Sequence, residues 1–167
     1  HNSYLPKYRG LQATSWAMTY EEKFTGYTFH EVNENIDDGK IILQRKILID
    51  YSKSSYENEL TKTKKAANDI GKLLSLVFED YEGVEQEGIK SYYGEKKLKK
   101  LLHFKNLDDL KEVKKIINIW GGIFLVTDQE SIHITKISQN GKIKRIKWLP
   151  PKIYYFFLKI KFFLLKK

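Results

Sequence analysis

Apolar positions recur with two different periods along the chain, and each change of period marks an element. In residues 11–23, LQATSWAMTYEEK, the side chains of Leu11, Trp16, Ala17 and Tyr20 share one side of a short helix entered from a turn at Gly10. GYTFHEVNEN then alternates at period two, with Tyr27, Phe29 and Glu31 on one face and Thr28, His30 and Val32 on the other, which predicts a strand. NIDDGK is a turn. KIILQRKILI is β-branched and apolar enough to form a buried or half-buried strand, closed by Asp50, Tyr51 and Ser52. From Ser54 the period lengthens, and Tyr56, Leu60, Ala67, Ile70, Leu73, Leu74 and Val77 make a helical stripe opposite a charged face. With Ser54 or Ser55 as its cap, a single helix is predicted to run as far as Phe78.

Residues 80–105 are polar and punctuated by glycine, and read as a connecting segment. LDDLKEVKKIINIW predicts a second short helix, with Asp108 and Asp109 near the end where the helix dipole favours negative charge. GIFLVT, SIHITKI and KIKRIKW read as three strands, the last two joined through Gln139, Asn140 and Gly141, where Asn-Gly favours a type I′ hairpin. No internal repeat is visible in the sequence. The expected fold class is α/β, with a first unit at 1–80, a linker at 81–105, a small α+β or β-rich unit at 106–150 and a basic aromatic tail at 151–167.

Composition narrows the chemistry. At 167 residues and 41% hydrophobic content the chain is long enough to bury a core. It has no cysteine, which excludes disulfides, a thiolate nucleophile and cysteine-based zinc or iron-sulfur sites, and favours a reducing compartment. No apolar run approaches the roughly 20 residues that span a bilayer, and the first residues lack a secretory pattern, so the expected location is cytoplasmic. The net charge of +9 is uneven: residues 1–89 sum to −4 and residues 90–167 to +13. An anionic partner for the second part follows from that asymmetry, whether nucleic acid, a phosphorylated small molecule or an acidic membrane surface. A lysine-heavy, isoleucine-rich chain is equally well accounted for as the mark of an AT-rich genome. In the tail, LPPKIYYFFLKIKFFLLKK, a helix would set Lys152, Lys159 and Lys166 on one stripe of an apolar cylinder, suited to peripheral membrane contact or to packing on the protein body.

In the first unit, His1 and the pair Asp37-Asp38 are the acid-base candidates in predicted loops, although spacing alone does not bring them together. Three ordered motifs do more. His1-Asn2-Ser3-Tyr4-Leu5-Pro6-Lys7-Tyr8-Arg9-Gly10 resembles the His-x-Ser-x-Leu-Pro-x-x-x-Gly signature of the folate-dependent formyltransferases, a superfamily that includes glycinamide ribonucleotide, methionyl-tRNA and sugar-nucleotide N-formyltransferases. Thr25-Gly26-Tyr27-Thr28-Phe29-His30 is similar to the family's Thr-Gly-x-Thr-x-His strand, and Asn35-Ile36-Asp37-Asp38-Gly39-Lys40-Ile41-Ile42 to its Asp-x-Gly-x-Ile-Ile element. The resemblance covers residues 1–78 and implies the C-terminal portion of a Rossmann-like catalytic domain. It also implies an N-terminal half, with an asparagine two positions before His1, ahead of this chain.

The same resemblance assigns roles. 10-Formyltetrahydrofolate would be the co-substrate, with no metal. His1 would be the imidazole that stabilises a developing oxyanion, and Asp37 would pair with it, favour its cationic form and help move the amine proton. Asn33, Glu34, Asn35, Ile36 and Asp37 would line the pteridine pocket, and Gly39 would permit the turn into the next strand. Ser3 is expected to bond loop backbone, Asp38 to be a solvated neighbour of Asp37, and His30 to be a hydrogen-bonded core residue. Trp16 and Met18 are expected to pack, and His103 and His133 lack the spacing of metal ligands. Tyr92 and Tyr93 with Lys96, Lys97, Lys99 and Lys100 read as a solvated face, with contact to a phosphate or stacked base as the other reading. The Ser91-Tyr92-Tyr93 segment is similar to the connecting region of sugar-nucleotide N-formyltransferases, so the expected acceptor is a nucleotide-linked amino sugar, with tRNA as the alternative and a homodimer compatible with either. A reading from another class is an inactive remnant whose basic part binds nucleic acid or membrane.

Overall fold

The computed structural model describes residues 1–128, 131–138 and 142–146. The chain divides into two compact units, residues 1–97 and 98–167, and its elements mix helices with sheets as the α/β expectation required.

The first unit is built on an antiparallel pair, β2 (Phe24–His30) and β3 (Ile41–Leu48), in register from Phe24↔Leu48 to His30↔Ile41 with an irregularity between Phe29 and His30. The predicted alternation holds to the strand end. Tyr27 faces one side, where its hydroxyl donates to Asp69 Oδ2 at 2.6 Å. Thr28 faces the other, donating to the Ser3 carbonyl at 2.7 Å and accepting the Leu5 N–H at 3.2 Å. Glu31 and Val32 fall beyond the strand and are exposed. Before this pair comes β1 (Arg9–Gly10), followed by α1 (Ala13–Thr19), which buries Ala13 through Met18. Leu11 and Tyr20, expected on the apolar side of that helix, lie outside it and are 64% and 54% exposed.

The predicted single helix is two, α2 (Ser55–Asn68) and α3 (Ile70–Phe78). Ser54 caps α2 through a reciprocal box with Glu57, which satisfies two otherwise orphaned N–H groups. Asp69 ends it because its carboxylate is drawn to the Tyr27 hydroxyl and the Arg45 guanidinium on the sheet. The buried residues of α2 are Asn58 and Lys62, while Tyr56 and Leu60 are largely exposed, so the expected apolar stripe is not what seats this helix. Asn58 donates to the carbonyls of Asp50 and Ser54 and accepts the Asp50 N–H. Lys62, wholly buried, donates to the Asn2 carbonyl and the Thr14 hydroxyl and pairs with Glu59 at 3.0 Å.

Residues 81–105 are not a free linker. Val84 and Ile41 exchange both backbone hydrogen bonds, at 2.7 and 2.9 Å, and β4 (Tyr92–Tyr93) pairs in parallel with β1. α4 (Glu95–Leu102) and β5 (His103–Phe104) complete the stretch. These bonds run through the backbone, so a polar composition conceals them.

In the second unit α5 (Leu110–Trp120) starts where the Asp109 carboxylate accepts the Glu112 N–H at 3.0 Å, and it ends at Gly121 in the left-handed conformation. It buries Val113, Ile116, Ile117, Ile119 and Trp120. The sheet of this unit has the order β5-β6-β7-β8, with β6 (Ile123–Val126) parallel to β5 and antiparallel to β7 (Ser131–Ile137), and β8 (Ile143–Ile146) antiparallel to β7. The predicted Gln139-Asn140-Gly141 turn and the 151–167 tail lie outside the described residues. Among the described residues no helix is long and apolar enough to cross a membrane.

Burial pushes the Lys62 ammonium below its ordinary pKa, and the nearby Glu59 carboxylate opposes that shift. A lysine depressed in the folded state costs stability while charged, and stability is regained as pH rises from the folded value toward the unfolded one near ~10.4. Glu59→Ala removes the compensating charge and is expected to lower the unfolding free energy by about 3 kcal/mol at neutral pH, with the deficit shrinking as the solution becomes alkaline. Urea denaturation at several pH values measures both effects, and a pH-independent loss would contradict the assignment.

Candidate active site

The end of β2 brings three titratable side chains together. His1 runs beside β2, its backbone nitrogen donating to the Thr28 carbonyl at 2.7 Å and its carbonyl accepting the Thr28 N–H at 2.9 Å. The β2–β3 connection returns Asp37 to the same place, with Oδ2 3.3 Å from His1 Nδ1 and accepting the Gly10 N–H at 2.7 Å. The other carboxylate oxygen, Oδ1, is 3.8 Å from His30 Nε2. Side-chain exposure is 8% for His1, 20% for Asp37 and 13% for His30, so all three side chains are largely withdrawn from solvent.

His1 Nε2 faces the Tyr8 carbonyl at 3.0 Å, an acceptor, while Nδ1 faces the Asp37 carboxylate, also an acceptor. A ring with a hydrogen on each nitrogen satisfies both. The two residues that hold the ring, Tyr8 and Asp37, both take the left-handed backbone conformation, at φ 58° and 52°. For non-glycine residues that conformation costs of order 1–3 kcal/mol and persists only where surrounding contacts impose it.

His30 is therefore part of the cluster rather than a core residue, its Nδ1 lying 2.6 Å from the Glu31 carbonyl. The period-two pattern already set it on the Thr28 face, the face on which Ser3 and Leu5 are bound, and that was the signal available. Asp38 is not a solvated neighbour: the Arg9 guanidinium and the Lys90 ammonium, the latter at 3.1 Å, both contact Oδ1. Hydrogen bonds from Lys90 and Arg9 hold its carboxyl below the usual carboxylate range. Gly39 serves close approach rather than a turn, since a Cβ there would lie 1.9 Å from the Glu31 carbonyl oxygen, and the left-handed residue is Asp37. Ser3 Oγ donates to the Lys7 carbonyl at 2.6 Å, a loop-backbone bond.

Asn33, Glu34, Asn35 and Ile36 lie in an exposed loop turned by the Asn35 N–H donating to Asn33 Oδ1 at 3.0 Å. A cavity of about 640 Å³ lies elsewhere, between the Ser3–Tyr8 loop, Thr25, Gln44 and residues 84–89, and none of Asn33 to Asp37 lines it. Tyr93 is no solvated platform, for its ring stacks on Trp16 at 4.7 Å and on Tyr8 at 5.4 Å, and Lys97 Nζ lies over it at 4.4 Å from the ring centroid. His103 and His133, distant in sequence, flank Phe124 with ring centroids 5.6 and 4.9 Å from it. Among the described residues no group of three or more His, Cys, Asp or Glu side chains is placed to hold a metal ion.

The model of the formyl transferase family matches residues 1–71 of the chain. GDP-perosamine N-formyltransferase of Brucella melitensis is 29% identical over 93 residues, covering 56% of this chain and 36% of that protein. Methionyl-tRNA formyltransferase of Kosmotoga olearia is 42% identical over 78 residues, or 47% of this chain and 24% of that one. Among solved structures, the N-formyltransferase of Helicobacter canadensis in complex with folinic acid and dTDP-3-aminofucose superposes with a TM-score of 0.56 at 20% identity, over 88% of this chain and 64% of that one. The chain thus spans little more than a third of the length of the first of these relatives.

Placing a methyl at Gly39 forces the Asp37 loop away from Glu31. Gly39→Ala is expected to destabilise the first unit by about 1–3 kcal/mol and to move Asp37 off His1. Thermal unfolding together with a crystal structure of the variant checks this, and an unaltered loop at unaltered stability would refute it.

Proposed function

We propose that the protein to which this chain belongs is an N-formyltransferase, moving the formyl group of 10-formyltetrahydrofolate to an amine on a nucleotide-linked sugar. The observation that carries the reading is the 3.3 Å approach of Asp37 Oδ2 to His1 Nδ1 within the segment that the formyl transferase family model matches.

In this reading the acceptor amine attacks the formyl carbon, forming a carbon–nitrogen bond and a tetrahedral oxyanion. The His1 ring holds a hydrogen toward that oxygen, and Asp37 fixes the ring. To take the hydrogen on Nε2, the formyl oxygen displaces the Tyr8 carbonyl, which the left-handed Tyr8 peptide now presents there. Asp37 accepts the proton the amine sheds, and that proton leaves on the folate N10 as the carbon–N10 bond breaks. The electron pair of the broken bond stays on N10, so no oxidant or metal enters the balance. Asn33, Glu34, Asn35 and Ile36 are exposed to a pterin approaching from the loop side, with the half-buried Asp37 beneath them.

An amino-sugar acceptor is favoured by the similarity to GDP-perosamine N-formyltransferase, which extends over 56% of the chain. A methionyl-tRNA acceptor is the second reading, favoured by local identity of 42% to the Kosmotoga enzyme and by the charge of +13 over residues 90–167. The basic tail binding a membrane, and a homodimer, remain subordinate proposals that the site does not require.

Assay of the full-length gene product with 10-formyltetrahydrofolate separates these. Turnover is expected with a nucleotide-linked amino sugar and not with charged initiator tRNA. Asp37→Asn is expected to lower kcat by about 10²- to 10⁴-fold, read as tetrahydrofolate release. Absence of turnover with every amine, alongside salt-sensitive RNA binding, would favour the remnant reading instead.

A further inference from the structure

We propose that Gln86 and Ser91 are positioning residues that hold the two left-handed residues on either side of the His1 ring. This inference rests on the reading of His1 and Asp37 as the pair that serves formyl transfer. Both residues belong to the stretch that composition assigns to a linker, far in sequence from the histidine motif.

Gln86 is half-buried and its carboxamide is fully used. Nε2 donates to the Asp37 carbonyl at 2.9 Å and to the Gly39 carbonyl at 2.8 Å, while Oε1 accepts from Arg9 Nη2 at 2.7 Å. One side chain thereby fixes the peptides that follow Asp37 and Gly39 and ties both to Arg9 of β1. The carboxylate of Asp37 cannot swing from His1 without breaking those two bonds or rotating about its own side chain, whose end Gly10 N–H holds. Ser91 does the corresponding work for Tyr8. Its Oγ accepts the Tyr8 N–H at 2.8 Å, its carbonyl accepts the Arg9 N–H at 2.8 Å, and its own N–H donates to the Pro6 carbonyl at 3.3 Å. The Tyr8 carbonyl, 3.0 Å from His1 Nε2, belongs to the peptide so anchored.

The geometry is selective. A purely structural tie between this stretch and the sheet is already supplied by the Val84–Ile41 backbone pair and by β4 on β1. Gln86 adds bonds to the carbonyls of Asp37 and Gly39, and Ser91 Oγ adds one to the N–H of the left-handed Tyr8 whose carbonyl faces the ring. The charged and titratable groups facing the pair are His30 from β2, Arg9 from β1, Asp38 from the β2–β3 connection and Lys90 from the returning stretch, with Arg9 and Lys90 both engaged by Asp38.

Gln86→Leu, Gln86→Glu and Ser91→Ala in the full-length chain test this. Gln86→Glu keeps an acceptor for Arg9 but loses both N–H donors to the Asp37 and Gly39 carbonyls, so it guards against simple misfolding. The expected result is a fall in kcat of about 10- to 100-fold in each Gln86 variant with KM for the folate donor within about threefold, because misplacement by an ångström acts on the chemical step. Ser91→Ala is expected to fall in the same direction by a smaller factor. In ¹⁵N spectra of the histidine side chains, the His1 Nδ1 resonance, assigned with a His1→Gln variant, is expected to shift in both Gln86 variants. Unchanged kcat in Gln86→Glu, or KM rising in step with kcat loss, overturns the proposal. If the parent protein transfers no formyl group, the functional reading fails, and the Nδ1 shift then decides the positioning claim alone: a shift sustains it and an unmoved resonance ends it.

Discussion

The approach of the Asp37 carboxylate to the His1 ring is the constraint on which the rest of the first unit depends, and it is made by backbone pairing rather than by sequence proximity. His1 and Thr28 exchange two backbone hydrogen bonds, which fixes the imidazole beside β2. The β2–β3 register then fixes where the connection must end, and a left-handed Asp37 followed by a glycine pressed against Glu31 brings the carboxylate back to the ring. Shifting that register by one residue would turn His30 and Thr28 to the opposite face and dissolve the cluster.

The charges around this pair are arranged so that they leave it intact. Arg9 lies one residue from Gly10, whose N–H binds Asp37, yet its guanidinium is taken by Asp38 and Gln86. Lys90 is taken by the same Asp38 oxygen. Asp37 is thus contacted by two imidazoles and a backbone N–H, partners that orient its carboxylate. The buried Lys62 plays a comparable part behind the loop, satisfying the Asn2 carbonyl next to His1 while Glu59 and Thr14 satisfy its ammonium.

What was legible in the sequence was periodicity that tertiary contacts respected. The alternation at 27–30 gave both faces of β2, and the apolar pattern with Asp108 and Asp109 near its start gave α5, whose cap at Asp109 the structure adds. The motifs around His1 and Asp37 pointed to the pair where spacing alone could not. The helix break at Asp69 was illegible because its cause, the Tyr27 hydroxyl and the Arg45 guanidinium, sits on the sheet and leaves no mark in the helix itself. Lys62 was illegible for the related reason that a lysine among lysines reads as a solvated face, although this one lies at the seam between α1 and α2. His30 was assigned a core role because a strand histidine usually has one. Residues 84–93 read as a linker since backbone bonds to β1 and β3 have no signature in side-chain composition.

A double-mutant cycle of His1→Gln and Asp37→Asn, with formyl-transfer kcat as the readout in the full-length protein, reports directly on whether the two side chains act as one unit. The account predicts strong non-additivity, with the double variant close to the weaker of the two single variants, because either substitution alone already abolishes the pair's function. A double variant whose loss equals the product of the two single losses would mean that imidazole and carboxylate work independently, and would contradict it.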